Sequence, residues 1–419
     1  MKLVVKKFGG TSVGDLGRIS QVAELLRKFL AENPGVGLVV VVSAMAGETN
    51  RLTALAKSLV AEPDPRELDT LLATGEQVSI ALVSIALRQL GIPARSFDAQ
   101  QAQIATNNRH LEAQIEGINA AALNAALARG EIPVVAGFQG VDEEGSITTL
   151  GRGGSDITAV AIAAALKADA CYIYTDVDGV YSTDPRICRY AKRLTQTSHE
   201  EMLEMASLGA KVLHPRSVYF AMQYAVPLVV LSTFNPERGG TWVVPEEELV
   251  EKAVVTGITY RNDEAKISVH HMPQGIKSFN LVFSALAEQG IFVDMITQAG
   301  AADGTTTVSF TVPDEASSKA LALMQALVPK IKAEGASLER DIAKISVVGV
   351  GMRYHTGVAA KLFEALAAEG IDVSMIATSE IKISVLVPRK FSEVSIRALH
   401  RAFIENQPEI ALERGAAAV

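Results

Sequence analysis

The chain has little cysteine. Its 419 residues include only two, Cys171 and Cys188. The pair lacks metal-type spacing and is too small for a disulfide framework, which fits a reducing cytoplasm. Cys171 lies within an apolar run, which is typical of a core position.

Long hydrophobic runs are also missing. Met1 to Lys7 contains lysines but no long apolar segment of the signal-peptide kind, and no run of about 18 apolar residues occurs anywhere. The sequence therefore predicts a soluble protein with no membrane partner.

The chain has no excess of basic residues. Its 39 Lys and Arg residues against 47 Asp and Glu residues give a net charge of −8. This balance argues against nucleic acid or an anionic membrane as a partner. An acidic protein that binds anions must use locally placed Lys and Arg, so basic residues in glycine loops are the candidates for anion binding. The length predicts about three domains.

Two common nucleotide-binding motifs are absent. Gly9 and Gly14 have the separation of a Walker loop, but Asp15-Leu16 stands where that loop needs Lys-Ser/Thr. Gly35-Val36-Gly37 precedes a predicted strand, whereas the Rossmann glycines follow one. A nucleotide would therefore need a different phosphate cradle.

Such a cradle is predicted at the N-terminus. Leu3 to Lys7 reads as a strand, Phe8 to Ser12 as a tight loop and Arg18 to Leu30 as an amphipathic helix. A glycine turn between strand and helix points backbone N–H groups at an anion. Lys7 adds a cation there. The alternative for Lys7 is a solvated lysine at the end of a strand.

The stretch Thr148 to Asp156 is the most informative in the chain. Its three glycines let the backbone turn sharply and approach a ligand, and Ile157 to Leu166 reads as a buried helix. Arg152 offers a planar fork of donors to a carboxylate or phosphate. Ser155 and Asp156 stand where the helix begins, so they either cap it or face a ligand. The alternative is a cap with a surface arginine.

Further strands and loops follow the same plan. Leu38 to Val42 reads as a buried parallel strand followed by a small-residue loop, Ser43 to Asn50. Glu67 to Leu90 reads as a helix, in which Gly75 predicts a break that would turn Glu76 toward a cleft.

A further strand with a glycine-containing loop is predicted at 133–140, strands at 171–174 and 226–231, and a helix at 201–213. The strand at 171–174 leads into Thr175 to Arg186, where Asp178 is assigned to a turn. Strands that alternate with helices up to about residue 245 predict an α/β sandwich with a mostly parallel sheet. Its ligands are expected beyond the carboxyl ends of the strands.

A repeat follows Pro245. Ala265-Lys266-Ile267-Ser268-Val269 recurs as Ala343-Lys344-Ile345-Ser346-Val347, and Gly290 to Ile296 recurs as Gly370 to Ile376. Each copy reads strand, helix, strand, strand, helix, with a possible closing strand, which is the βαββαβ plan of a ferredoxin-like module. The pair His270-His271 in the first copy lacks a third ligand at metal spacing and is interpreted as structural.

These motifs resemble a known family. Lys7 to Ser12, Thr148 to Asp156 and Thr175 to Arg186 are similar to the signatures of the amino-acid kinase superfamily. Thr74-Gly75-Glu76, Gly209 to Pro215 and the tandem modules narrow the resemblance to the aspartokinases, which carry two ACT domains. It covers essentially the whole chain. It implies a three-layer α/β sandwich with a mostly parallel sheet, followed by two ferredoxin-like βαββαβ ACT domains.

The resemblance implies a domain plan and an activity. The plan is a catalytic domain at 1–245, a linker at 246–262 and ACT domains at 263–341 and 342–419. The activity is transfer of the ATP γ-phosphoryl group to the side-chain carboxylate of L-aspartate, with Mg²⁺ bridging the phosphates. No residue is assigned as a metal ligand.

The resemblance also implies roles for individual residues, assigned where this sequence matches the motifs of the family. The implied catalytic residues are Lys7, Asp156 and Lys211. The implied substrate-binding residues are Thr49, Glu76, Arg152 and Ser155. The residues implied to hold ATP are Lys7, Phe8, Gly9, Gly10, Thr175, Asp176, Tyr181, Arg186, Lys211 and Val212.

The ACT pair implies feedback by lysine or threonine, bound where modules meet in a homodimer or larger oligomer. The implied effector residues are Gln298, Gly357, Val358, Thr378 and Ser379. The first module departs from the family, because Gln274-Gly275-Ile276-Lys277 replaces its usual Asp-x-Pro-Gly loop. With Lys277 aligned to Gly357, inhibition by either amino acid alone is expected to be weak or absent, and the first module is expected to serve mainly in dimer packing.

Three alternatives remain open. A sister kinase for acetylglutamate or glutamate would share the nucleotide loops but is not expected to carry the ACT pair. A catalytically dead amino-acid sensor would keep the fold, although the intact Lys7, Arg152, Asp156 and Lys211 argue against it. The last alternative is a phosphate-binding scaffold without chemistry.

Overall fold

The computed structural model describes residues 2–210, 212–249 and 253–405. The N-terminal half contains twelve of the described strands and seven of the described helices. The strands are β1 Leu3–Phe8, β2 Gly37–Val42, β3 Ala94–Phe97, β4 Ile104–Thr106, β5 Ile115–Ile118, β6 Ile132–Ala136, β7 Gln139–Val141, β8 Ile147–Thr149, β9 Ala170–Thr175, β10 Gln196–Ser198, β11 Leu228–Ser232 and β12 Gly240–Val244. The helices are α1 Leu16–Glu32, α2 Glu48–Leu59, α3 Pro65–Gln89, α4 Ala121–Ala128, α5 Gly154–Leu166, α6 His199–Ser207 and α7 Pro215–Gln223.

An eight-stranded sheet in the order β10-β12-β11-β9-β1-β2-β6-β3 forms the centre of this half. Every pairing is parallel except that of β11 with β12. Both central strands, β1 and β2, are buried at every position, as their β-branched runs predict. One face packs against α4 to α7 and the other against α1 and α3. The predicted three-layer sandwich is confirmed.

A small sheet in the order β5-β4-β7-β8 stands beside the large one. Its last strand leads directly into the glycine-rich stretch and helix α5. The carbonyl oxygens of Leu150 and Ala113 accept hydrogen bonds from the Arg216 guanidinium, at 2.6 and 3.0 Å. Arg216 thus fixes the base of this stretch from helix α7.

The predicted break in helix α3 is wrong. The helix runs unbroken from Pro65 to Gln89, and Gly75 is buried within it. A Cβ at Gly75 would lie 2.8 Å from the Cβ of Ala44. The glycine therefore serves close packing of the helix against the 43–50 loop, and this packing brings Glu76 to that loop.

Helix α6 is also shorter than predicted. It ends at Ser207 instead of continuing to Leu213, because Gly209 takes a φ of 117° that no α-helix accommodates. Helix α1 begins two residues earlier than predicted, where the Asp15 carboxylate accepts a hydrogen bond from the Arg18 N–H at 2.9 Å.

Helix α3 is the one described helix whose length and hydropathy would suffice to cross a membrane. Half of the relevant window is buried inside the protein. The helix also buries Asp69 and Glu76, and it packs against α1 and α2. These contacts are those of a core helix.

The C-terminal part forms two four-stranded antiparallel sheets, in the orders β15-β16-β14-β17 and β13-β18-β20-β19. The strands are β13 Gly257–Arg261, β14 Glu264–Pro273, β15 Ile296–Gly300, β16 Thr305–Pro313, β17 Gly335–Glu339, β18 Ile342–Val348, β19 Met375–Thr378 and β20 Lys382–Pro388. The helices are α8 Ile276–Glu288, α9 Ser317–Ile331, α10 Val358–Ala368 and α11 Ser392–His400. The predicted pair of ferredoxin-like modules is confirmed.

The segment predicted as a linker contributes a strand. Strand β13 pairs with β18 of the second module, in the position that β17 holds beside β14 in the first. Residues 257–261 therefore belong to the sheet of the second module. A closing strand beyond residue 405 would lie outside the described residues.

The two modules join through a small apolar cluster and a buried lysine. Met295 packs with Ile342, Met375 and Leu386. Lys344 is buried, and its Nζ contacts Glu264 at 2.5 Å and the carboxylate of Asp294. Because both carboxylates belong to the first module, this network fixes the orientation of the modules relative to each other.

The predicted difference between the two helix starts is wrong in one respect. Gly275 is the N-cap of α8, as Gly357 is the N-cap of α10, and Lys277 lies inside the first turn of α8. Both modules therefore keep a glycine with positive φ immediately before the helix. The other difference holds: Gln274 stands where the family has Asp. Its side-chain amide donates a hydrogen bond to the Thr305 carbonyl at 3.1 Å.

Candidate active site

A cavity of about 400 Å³ opens where β1, helix α3, the 43–50 loop and the N-terminus of α5 meet. Six predicted catalytic or substrate-binding residues line it, together with Gly10: Lys7, Thr49, Glu76, Arg152, Ser155 and Asp156. They come from four separate stretches of chain. They meet because parallel strands place their carboxyl ends at one edge of the sheet.

The glycine-rich stretch forms the cradle at the start of α5. Gly153 is the N-cap with a φ of 74°, and a Cβ there would lie 2.4 Å from the His214 side chain. Ser155 and Asp156 lie in the first turn and make no capping hydrogen bond, so the simple capping interpretation is wrong. The N–H groups of Gly154 and Asp156 already donate to the carbonyls of Gly151 and Gly153, both at 3.0 Å, so it is the helix dipole that makes this end attractive to an anion. Arg152 is exposed at the mouth of the cavity.

Lys7 forms an ion pair with Asp156. Its Nζ lies 2.6 Å from Asp156 Oδ1, and the two side chains are only 10% and 13% exposed. Lys7 sits in mid-sheet, beside Val41 of β2 and Ile173 of β9. The solvated-surface interpretation of Lys7 is therefore wrong. Asp156 holds the ammonium group at the cavity wall.

Glu76 is a buried carboxylate with one free oxygen. Its Oε1 accepts a hydrogen bond from the Ala44 N–H at 2.9 Å, while Oε2 has no hydrogen-bond partner among the described residues. Burial raises the pKa of Glu76 to about 7, against the opposing effect of the Ala44 N–H. A buried anion that lacks a partner is costly, so a cationic ligand group in the cavity would stabilise it.

Of the described residues predicted to hold ATP, Lys7 and Gly10 line this cavity and the others lie outside its wall. Thr175 ends β9, the neighbour of β1, and the Gly9 N–H donates to the Tyr174 carbonyl at 3.2 Å. The Tyr181 hydroxyl donates to Asp178 at 2.9 Å, and burial with Asp178 raises the pKa of Tyr181.

The remaining nucleotide residues differ in exposure. The Arg186 side chain is 86% exposed and pairs with Asp184 at 2.7 Å. Phe8 is buried and stacks on Tyr174 with ring centroids 4.6 Å apart, so only its backbone faces a ligand. Val212 is half-buried, and Lys211 lies outside the described residues.

Several site residues were missed by sequence reasoning. The sequence predicts the 43–50 loop as a whole, but not that Ser43 and Asn50 form part of the cavity wall. Phe138 lines the cavity with a φ of 70°, which no pattern predicts. Asp69 is fully buried below the cradle, where it accepts the Thr149 hydroxyl at 2.5 Å and contacts His110 at 2.8 Å. Asp69 lies in the second turn of helix α3, and nothing in the sequence pattern there distinguishes it from a surface carboxylate.

Comparisons with known proteins agree with this geometry. The model of the amino acid kinase family matches residues 2–232, and that of the ACT domain matches residues 345–403. An aspartate kinase of Pseudomonas putida is 51% identical over 408 residues, covering 97% of this chain and 99% of the relative. An aspartokinase of Thermus thermophilus is 47% identical over 405 residues, covering 96% and 99%.

Among solved structures, E. coli aspartokinase III in complex with aspartate and ADP (R-state) superposes with a TM-score of 0.78 at 28% identity. The match covers 96% of this chain and 100% of that one. The three-layer fold, the anion cradle and the lysine beside it define an ATP-dependent small-molecule kinase. The chain belongs to the amino acid kinase family, in the aspartokinase group that carries ACT domains.

Proposed function

We propose that this protein transfers the γ-phosphoryl group of ATP to the side-chain carboxylate of L-aspartate, giving 4-phospho-L-aspartate and ADP. This reaction opens the biosynthesis of lysine, threonine and methionine. The buried and unpartnered Oε2 of Glu76 carries the proposal, since Glu76 lines a cavity that also holds Lys7 and Arg152. An amino acid supplies the ammonium and the α-carboxylate that such a set requires. An acceptor without an ammonium group would leave Glu76 unpaired.

Substrate recognition follows from the charges. Glu76 accepts the ammonium of aspartate, and the planar Arg152 guanidinium binds the α-carboxylate with two hydrogen bonds. Thr49 and Ser155, which both line the cavity, add hydroxyl contacts. The side-chain carboxylate is then directed toward Lys7.

The chemical step needs no general base. The side-chain carboxylate of aspartate, with a reference pKa of about 3.9, is already ionised at neutral pH. One carboxylate oxygen forms the new bond to the γ-phosphorus, while the bond from phosphorus to the β,γ-bridging oxygen breaks and ADP leaves. Lys7 neutralises charge on the transferred phosphoryl oxygens, and Asp156 keeps its ammonium in place.

Mg²⁺ fits this site as an ion that arrives with the nucleotide. Mg²⁺ usually binds through one or two carboxylates and the substrate phosphates. Within the described ranges the single cluster of three metal-capable side chains is Cys188, His400 and Glu405, which is not part of the cavity. Asp156 is the carboxylate that would face the ion. When bound, the ion supplies charge neutralisation for the phosphates.

Regulation and assembly form the second part of the proposal. Lysine or threonine binding to the ACT modules would modulate activity, through Gln298 in the first module and Gly357, Val358, Thr378 and Ser379 in the second. A solved structure of E. coli aspartokinase III in complex with lysine and aspartate (T-state), similar to this chain with a TM-score of 0.75 at 28% identity, supports an amino-acid effector. Exposed apolar side chains on the modules, among them Phe292 and Ile296, support a homo-oligomer formed through them. We also propose a cytoplasmic location.

Aspartate-dependent ADP release is the direct test, measured with and without lysine and threonine. Aspartate is expected to support turnover, while glutamate and acetylglutamate are not. Turnover with acetylglutamate alone would identify a sister kinase. Binding of aspartate and ATP with no ADP release would identify a sensor without catalysis.

The rate with aspartate is expected to depend on the ionisation of Glu76. Its pKa of about 7 in the free protein means that acid protonates it, and only the ionised form attracts the substrate ammonium. The value of kcat/KM for aspartate should therefore fall as the pH drops below about 7, by roughly tenfold per pH unit at the acid end, and level off above it. A pH profile of initial rates measures this.

Glu76→Gln should lower kcat/KM for aspartate and remove that acid limb. Glu67→Gln is the matched control, because Glu67 lies on the same helix with a side chain that is 67% exposed. The control should keep the wild-type profile. An unchanged acid limb in Glu76→Gln would assign the pH dependence to another group.

A further inference from the structure

The second ACT module packs against the part of the kinase domain that carries the predicted nucleotide residues. Strand β13 lies on helix α6, where a Cβ at Gly257 would come within 2.5 Å of the Met205 sulfur. The Ile258 N–H donates to the Ser182 carbonyl at 2.7 Å. The cavity wall, by contrast, comes only from residues 7–156.

Glu201 of helix α6 is the centre of this contact. Its carboxylate is 1% exposed. Oε2 accepts the Thr197 hydroxyl at 2.9 Å and the Ser198 N–H at 3.1 Å, both within the kinase domain. Oε1 accepts the Thr256 hydroxyl at 2.6 Å and the Val350 N–H at 3.0 Å, from the segment before β13 and from the second module. One carboxylate thus ties the start of α6 to the ACT module.

The other end of α6 is held by the same strand. Gly209 follows the helix with a φ of 117°, and a Cβ there would lie 2.2 Å from the Tyr260 carbonyl oxygen of β13. The chain continues from this glycine to Lys211 and Val212, which are predicted to hold ATP. Helix α6 therefore connects the ACT contact at Glu201 to the start of a predicted nucleotide segment, since its C-cap is Leu208, the residue before Gly209.

A second contact reaches the other nucleotide segment. Ser182, between Tyr181 and Arg186, contacts His400 Nε2 of helix α11 at 3.0 Å. His400 is fully buried, and its Nδ1 contacts Glu405 at 3.0 Å. This serine, histidine and glutamate have the order of a hydrolase triad, but Ser182 is 1% exposed and also accepts the Lys192 N–H at 2.9 Å. Both ring nitrogens of His400 are engaged, so these three side chains have a structural role: they join helix α11 to the segment that contains Ser182.

We propose that the second ACT module holds the predicted ATP-binding segments, the nucleotide half of the active site, in position. Glu201 and His400 are the positioning residues. The inference rests on the proposed function, in particular on the assignment of 175–186 and 211–212 to ATP. The aspartate half, which contains Glu76 and Arg152, does not depend on this support. Ligands or substitutions in the second module therefore act on ATP binding and leave aspartate binding unchanged.

Glu201→Gln is the sharpest test, because the amide keeps the shape but turns one acceptor oxygen into a donor that faces existing donors. We expect the Kd for ADP and the KM for ATP to rise about tenfold or more, the scale of losing hydrogen bonds to a buried charge, with the aspartate KM unchanged. Glu200→Gln is the matched control, as Glu200 is its neighbour in the first turn and its Oε2 has no hydrogen-bond partner among the described residues. The control should bind ADP like the wild type.

His400→Gln provides an independent variant if Glu201→Gln does not fold, and it should shift ADP affinity in the same direction. Calorimetry with ADP on the wild-type protein comes first, and failure of that binding would contradict the proposed function itself. If the wild type binds ADP and the folded variants bind it equally well, the inference is overturned. It is also overturned if the KM values for ATP and aspartate rise together, since that pattern indicates general loosening.

Discussion

Replacing Lys7 with alanine is expected to lower kcat by at least about a hundredfold, the scale of losing one preorganised electrostatic contact at a developing charge. Lys7 is the cation that lines the cavity at the glycine loop, and Asp156 fixes its Nζ at 2.6 Å. Aspartate binding should survive, because Glu76 and Arg152 remain. Steady-state kinetics combined with calorimetry for aspartate separates the two effects.

The adjacent lysine provides the control. Lys6 points to the opposite face of β1, where its Nζ lies 3.2 Å from the centroid of the Phe29 ring and burial lowers its pKa to about 7. Lys6→Met should therefore keep near-normal kcat. A Lys7→Ala protein with near-normal kcat would show that another cation stabilises the phosphoryl group.

Removing Lys7 also leaves Asp156 without its partner, which destabilises a protein when the pair is largely buried. The double variant Lys7→Met/Asp156→Asn separates the two consequences. It should recover thermal stability relative to Lys7→Ala but not kcat. Recovery of both would attribute the loss of activity to misfolding alone.

The candidate site was predictable from the sequence because its parts follow buried strands. Val39 to Val42 and Val4 to Val5 are apolar runs that are typical of central parallel strands, and the carboxyl ends of such strands share an edge. The loops after those strands therefore meet, whatever lies between them in the chain. Glycine-rich composition and single basic residues then mark which loops bind an anion.

What the sequence did not predict depends on distant partners. Gly75 suggests a break from local propensity, yet the approach of Ala44 decides its role, and that neighbour is 31 positions away. Strand β13 reads as a linker because its partner β18 lies some 85 residues further along the chain. Strand β13 is an edge strand of the second module, and the sequence repeat does not reveal it because it precedes the repeated segment.

The start of α8 shows a related limit. Aligning the two repeats by their helices and the turns that follow, as in Gly290 and Gly370, places Lys277 opposite Gly357. The helix of the first module instead begins further back, after a residue that tolerates positive φ. That residue is Gly275. The repeat thus keeps its helix-capping glycine at a shifted position, which weakens the expectation that the first module has lost effector binding. Calorimetry with lysine and threonine on Gln298 and Gly357 variants addresses each module separately.

Arg152→Ala is expected to raise the KM for aspartate by about ten- to hundredfold, as for a lost hydrogen-bonded charge pair of about 1.5–3 kcal/mol. The affinity for ATP should stay nearly unchanged. Gly151 and Gly153, both with a φ of 74°, present the guanidinium at the cavity mouth without a competing side chain. Arg152→Lys should restore part of the affinity, because lysine keeps the charge but not the planar fork. Initial-rate kinetics with each substrate varied in turn gives the comparison.

Arg51→Ala is the matched control for this charge. Arg51 lies on α2 beside the cavity loop, but it pairs with Glu48 at 2.6 Å and is not part of the cavity wall. Its loss should leave both KM values unchanged. A rise in the KM for ATP on Arg152→Ala, with aspartate unaffected, would instead assign this arginine to the nucleotide phosphates. The cradle at the start of α5 would then belong to ATP, and the α-carboxylate of aspartate would need another donor in the 43–50 loop.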